Sequence, residues 1–220
     1  MSKTLNQPKQ ERSQKRMDQV VKTTEKMLLT IGLEKISIPE IAKESGVPRA
    51  SIYQFFPTKY DLIRHITLIH LNRLITELKS VAIQVFMDHP HEDIYKYGRL
   101  MTASLIRHTA KFHNESPIAT LLILSSSISQ QSYLEYQVEL SKVSAAIRQA
   151  LQTMQLDHYV PQQPDTLTIL IEMIFSCMKY GYYTENYISE AICQEAYRAG
   201  MAYLTALKND AFHIQNSPES

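Results

Sequence analysis

Glycine and cysteine are scarce in this chain. Five glycines in 220 residues leave little material for a glycine-rich phosphate loop. Neither that loop, a nucleophile elbow nor an HExxH pair is present. The two cysteines, Cys177 and Cys193, form no CxxC and have no companion histidine at zinc-finger spacing. They are expected to be buried free thiols in a reducing cytoplasm, with a redox-sensing pair as the alternative. No apolar run is long enough to span a bilayer; the best candidate, residues 118–124, is far too short. The N-terminus is polar through Arg16, unlike a signal peptide. Internal repeats and strand-like alternation are missing as well. These absences point away from a membrane protein and from an enzyme: no catalytic residue, cofactor or metal ligand is expected. One polar cluster, Asp88, His89, His91, Glu92 and Asp93, has metal-binding residue types. Its members are adjacent rather than matched on one helix face, and they flank Pro90. A polar loop with helix-capping acids is the expected reading, with a helical metal-dependent enzyme as the rival.

What is present is helical periodicity. Hydrophobic residues make up 44% of the chain, enough for a substantial core. Over residues 13–32, Met17, Val20, Val21, Thr24, Met27, Leu28 and Ile31 follow helical spacing. A long helix is expected from Thr58 to about Met87, through Leu62, Ile66, Ile69, Leu74, Leu78, Val81 and Val85. Further helices are expected at about 91–112, 117–129, 132–156, 164–183 and 188–208. The fold class expected is all-α, with about nine helices: a three-helix N-terminal domain and a C-terminal helical bundle. The expected divisions are a disordered polar tail at 1–13, a DNA-binding domain at 14–62, a body at 63–208 and a loose tail at 209–220. Charge is distributed unevenly between head and body. Residues 1–64 hold 12 Lys and Arg against 7 Asp and Glu, a net of +5, whereas the remainder carries −4. A basic head on an acidic body suits a DNA reader with a separate regulatory part.

The most specific signal lies at residues 34–64. Ser37 followed three residues later by Glu40 is a capping box, and Pro39 sits in the first helical turn, where its missing N–H costs little. Ile38, Ile41 and Ala42 give this short helix one apolar side. Gly46 can end it in a left-handed conformation. A second short helix is expected at about 48–55, anchored by Val47, Ile52 and either Phe55 or Phe56. Phe56-Pro57 stops it, and Thr58 with Asp61 starts the next. Two short helices joined by a tight turn form a helix-turn-helix.

The segments Ile41-Ala42-Lys43-Glu44-Ser45-Gly46-Val47 and Ser51-Ile52-Tyr53-Gln54-Phe55-Phe56-Pro57-Thr58-Lys59-Tyr60-Asp61-Leu62 resemble the DNA-binding domain of the tetracycline-repressor (TetR) family. The resemblance covers roughly the first 65 residues. It departs at Pro48, where the family often has Ser or Thr; proline supplies no side-chain cap. The resemblance implies a recognition helix at 48–55. Arg49 would pair with guanine, Gln54 would read a base edge or a phosphate, and Ala50 and Ser51 would permit close approach. Tyr53 and Lys59 would hold phosphates, and Ser37 would cap its helix, touch phosphate, or both. Rival readings make Arg49 a solvated charge and Tyr53 half core.

The resemblance also implies a sequence-specific transcriptional regulator, in the usual case a repressor released from double-stranded operator DNA by a small apolar or amphipathic ligand. A co-repressor ligand or no ligand control are the alternatives. It implies a homodimer built on the last two helices, about 164–208. Leu167, Leu170, Ile171, Ile174, Phe175 and Met178 offer an apolar surface, and Ala191, Ala196, Ala199, Gly200 and Ala202 allow close helix approach. The competing reading is that these helices close a monomeric core. Pocket residues expected in the body are Met101, Ser104, Arg107, His108, Tyr136 and Phe175.

Overall fold

The computed structural model describes residues 7–89, 94–124, 130–153, 157 and 160–216. Within them the chain is all-α. Nine helices follow in order: α1 Gln7–Ile31, α2 Ile38–Ser45, α3 Arg49–Phe55, α4 Lys59–Asp88, α5 Ile94–Glu115, α6 Pro117–Leu124, α7 Gln130–Thr153, α8 Thr166–Glu185 and α9 Glu190–Asn216. The expected ends of the sixth and seventh helices, at 129 and 156, lie outside the described residues, as do residues 1–6 and 217–220.

Two segments expected to be loose are helical. α1 begins at Gln7, inside the stretch read as a disordered tail. Its first turns are rich in Gln, Lys, Glu and Arg, which are good helix formers, and they extend a helix already nucleated by its packed half. α9 likewise runs on to Asn216, past residue 208.

The chain divides into two compact units, Met1–Ile69 and His70–Ser220, and α4 contributes to both. The division falls later than the expected residue 62 because Leu62, Ile63 and Ile66 of α4 are buried in the first unit. That unit has a small core. Val20, Thr24 and Leu28 of α1, Ile38 and Ile41 of α2, Ile52 of α3 and these α4 residues are all buried in it. Thr24 is satisfied locally, its hydroxyl donating to the Val20 carbonyl at 2.7 Å.

The second unit buries Leu71, Leu74 and Leu78 of α4 with Ile106, Leu140, Phe175, Met178 and Ala196 from four other helices. Gly181 sets the closeness of α8 to α9: a Cβ there would lie 2.9 Å from Ile192 Cγ1. Asp165 caps α8. Its carboxylate accepts from the Thr168 hydroxyl at 2.6 Å, the Ser144 hydroxyl at 2.9 Å and the Arg148 guanidinium at 3.4 Å. Burial alone would raise this carboxyl; the hydrogen bonds outweigh it and hold it below the usual carboxylate range.

α8 corrects one expectation. Leu167, Leu170, Phe175 and Met178, read as a surface for a second subunit, are buried within their own unit, and Ile171 and Ile174 are half-buried there. They pack into the core of their own unit. The outward side of α8 carries Ile169, Tyr180 and Tyr183, all exposed. On α9, Ala196 and Gly200 are buried, whereas Ala191 and Ala202 face solvent. Cys193 is buried and Cys177 only half-buried; both are free, and burial raises both thiols.

Candidate nucleic-acid interface

α2 is prepared by its ends. The Ser37 hydroxyl accepts from the Glu40 amide at 3.5 Å and donates to the Glu40 carboxylate at 2.8 Å. At the other end Gly46 has φ 68°, a conformation that glycine adopts without strain. Gln19, reaching from α1, donates to the Ser45 carbonyl at 2.7 Å and so occupies one of the helix's last acceptors.

α3 follows at once. Pro48 occupies the cap position and supplies no side-chain bond; its carbonyl accepts from the amides of Ser51 at 2.9 Å and Ile52 at 3.2 Å. Ile52 is fully buried and fixes the rotation of the helix about its axis. Val47 and Phe56 flank it in the core, while Phe55 stays 39% exposed, which settles the choice between the two phenylalanines. With Ile52 inward, Arg49, Ala50, Tyr53 and Gln54 are all exposed and Ser51 is half-buried. Arg49 and Tyr53 are one turn apart, as are Ala50 and Gln54. The two rows form one polar face about 10 Å long, a length that a major groove accepts. Tyr53 is 47% exposed, so it is not a core aromatic.

The start of α4 closes the unit. The Thr58 amide donates to Asp61 at 2.9 Å and the Asp61 amide donates back to the Thr58 hydroxyl at 3.2 Å, a reciprocal capping box. The Thr58 hydroxyl bond chiefly holds the Asp61 carboxyl below its ordinary range. Lys59, expected at a phosphate, also has a structural engagement. Its ammonium donates to the carbonyls of Leu33 and Ile36, each at 3.3 Å, and is half-buried. An ammonium has three donors, so one remains beyond these two bonds.

The second unit contains a cavity of about 530 Å³, walled by α4, α5, α7, α8 and α9. Of the six residues expected at a pocket, Met101 and Phe175 line it. Ser104, Arg107, His108 and Tyr136 do not. His108 Nε2 lies 3.0 Å from Glu77 Oε2, and Arg73 reaches the same carboxylate at 2.9 Å. Burial would raise the Glu77 carboxyl, but these two partners outweigh it and lower it. Tyr97 and Arg99 line the cavity without having been expected there. Tyr97 shares helical spacing with Ile94, Met101 and Leu105, the one signal in the sequence that could have placed it there. The expected polar cluster at 88–93 falls largely outside the described residues; among those described, no group of three or more potential metal ligands occurs. No described helix is long and apolar enough to cross a membrane.

A helix-turn-helix unit with an outward, largely polar face, joined in sequence to a helical body, is the arrangement of a class of DNA-binding regulators. The model for bacterial regulatory proteins of the tetR family matches residues 20–66, which contain the whole of this motif. Over that segment the chain is similar to the DNA-binding part of these regulators. A crystal structure of a protein assigned by name to the TetR-family transcriptional regulators, from Syntrophomonas wolfei str. Goettingen, shares the fold. It aligns with a TM-score of 0.63 over 87% of this chain and 96% of that one, at 15% identity. No curated protein matches the chain.

Proposed function

We propose that the protein is a homodimeric repressor that leaves its operator when a small molecule enters the cavity of the body. The observation that carries the DNA half of this reading is the orientation of α3. Ile52 is sealed inward while Arg49, Ala50, Tyr53 and Gln54 stand in solvent on a short, capped scaffold. Arg49 reads guanine, Gln54 a base edge or phosphate, and Ala50 and Ser51 allow close approach. Tyr53, the remaining donor of Lys59, and Ser37 hold phosphates and set register.

A twofold dimer brings two reading helices to half-sites about one DNA turn apart. The exposed Ile169, Tyr180 and Tyr183 of α8 and the exposed Ala191 and Ala202 of α9 support an interface on the outward side of these helices. The cavity has the size of a small-molecule site and supports the regulatory half. α4 begins at Lys59, next to the reading helix, and supplies Leu71, Leu74, Ile75 and Leu78 to the cavity wall. Ligand that favours one position of this helix biases operator binding, by a coupling of about 1–3 kcal/mol.

Selection of bound duplexes from a random pool, followed by titration of the winner at several salt concentrations, tests this. A symmetric site and a steep salt dependence are expected. Failure to enrich any sequence overturns the reading.

A further inference from the structure

The cavity of the second unit has a charged neighbour. α5 and α9 flank a groove of about 430 Å³ whose walls include Lys96, Arg99, Arg107 and Glu190. Arg99 and Ile106 line both this groove and the 530 Å³ cavity. They stand seven residues apart, two turns along one side of α5, so the two spaces share a wall. Among the described residues, Arg99 is the cavity's single fixed charge, and no carboxylate lines it. Arg107 already has an acidic neighbour, Glu190 at 3.8 Å. Arg99 has no ion pair among the described residues, and it is solvent-exposed. Its guanidinium therefore keeps its hydration while its stem borders apolar surface. Tyr97, two residues away, also lines the cavity; its buried hydroxyl has no hydrogen-bond partner among the described residues.

We propose that the effector is an anionic amphiphile. Its apolar chain fills the cavity, its carboxylate or phosphate head pairs with Arg99 where groove and cavity meet, and the Tyr97 hydroxyl is a second donor within the same site. The inference rests on reading this cavity as the effector site. Three ligand classes separate on charge. A lipophilic cation meets Arg99 and finds no carboxylate among the described residues of the cavity wall. A neutral lipophile gains burial alone. An anion gains the same burial and a charge-assisted, geometrically matched pair with the guanidinium.

The test uses the full-length protein and four probes of equal chain length, all below micelle formation: dodecanoate, dodecyl phosphate, dodecan-1-ol and dodecyltrimethylammonium. Binding is read by calorimetry and by displacement of an apolar fluorescent dye; operator release is read separately by anisotropy. One or both anions should bind about tenfold more tightly than the alcohol, with the cation weakest. Rising salt should weaken the anion and spare the alcohol. Arg99→Gln should bring the anion down to the level of the alcohol, with the helical circular dichroism signal retained. Tyr97→Phe should weaken anion binding less than Arg99→Gln does. Equal binding of anion and alcohol, preference for the cation, or an anion preference that survives Arg99→Gln overturns the proposal. Anion binding that depends on Arg99 but releases no operator supports the ligand class assigned to the cavity and overturns its reading as an effector site. Binding of none of the four overturns both.

Discussion

The side-chain amide of Asn114 holds both main-chain groups of Ile188. Its Nδ2 donates to the Ile188 carbonyl at 2.9 Å, and its Oδ1 accepts from the Ile188 amide at 2.9 Å. The end of α5 is thereby fastened to the α8–α9 connection, 74 residues further along the chain. That connection has few other options. Asn186 ends α8 with φ 54°, and Ile188 is buried beyond it. Replacing Asn114 by alanine leaves two buried or half-buried backbone groups unmatched, which costs about 1–3 kcal/mol. Asn114→Asp keeps the acceptor and loses the donor, and places a charge beside a carbonyl. Both variants are expected to lower the urea midpoint of the body, with Asp at least as harmful as Ala.

On the proposed docking, the exposed side of α3 is expected to make two kinds of contact. Arg49→Ala should cost about 1–3 kcal/mol on the preferred operator and relax preference at one base position. Tyr53→Ala should weaken all duplexes alike, leaving the ranking of sequences unchanged. Lys59 should behave differently because its ammonium binds the carbonyls of Leu33 and Ile36. Lys59→Ala should lower the melting temperature of the N-terminal unit as well as DNA affinity, whereas Tyr53→Ala should leave melting untouched. Parallel melting curves and anisotropy titrations check this, and an Arg49 variant with an unaltered sequence ranking counts against the docking.

Much of this site was legible in the sequence because it is local. The capping pairs Ser37–Glu40 and Thr58–Asp61, the turn at Gly46 and the inward Ile52 all lie within a short stretch, where spacing dictates which side a residue takes. The body was legible as helices but not as surfaces. A single chain shows that Leu167, Leu170, Ile174 and Met178 share an apolar side; it does not show whether that side meets its own core or a second subunit. The structure turns them inward and leaves Tyr180 and Tyr183 of α8 outside. The cavity was less legible still. Its walls come from five helices far apart in sequence, and an arginine among apolar neighbours on α5 reads equally as a solvated charge.

The outward side of α8 is expected to carry the dimer. Tyr180 and Tyr183 are 63% and 58% exposed, large areas of aromatic surface for an unpartnered helix. Tyr180→Glu combined with Tyr183→Glu should shift the protein toward monomer in sedimentation experiments. Affinity for a full operator should fall sharply, while binding to an isolated half-site changes little. An unchanged sedimentation coefficient places the interface elsewhere.

The stability of the body should fall in mild acid, and His113 gives the reason. Its ring is 2% exposed in the last turn of α5, edge-on to Phe112 and Phe175 at centroid distances of 5.6 and 6.0 Å. The Thr120 hydroxyl lies 3.4 Å from Nδ1 but donates to the His113 carbonyl at 2.6 Å, and Nε2 has no partner among the described residues. Burial pushes the imidazole down from 6.5 to about 4. A helix C-terminus favours the imidazolium, but by less than the loss of hydration costs it here. Between pH 6.5 and 4 the unfolded chain therefore binds a proton that the folded one refuses. The neutral ring's contribution is complete above pH 6.5 and is lost as pH falls toward 4, amounting to about 2 kcal/mol by pH 5. Urea unfolding at pH 7.5 and pH 5 measures the loss. His113→Gln removes the titrating group, so its midpoint is expected to be lower at pH 7.5 yet to change less between the two pH values. An equal pH dependence in wild type and variant would mean that the imidazole charges freely in the folded body.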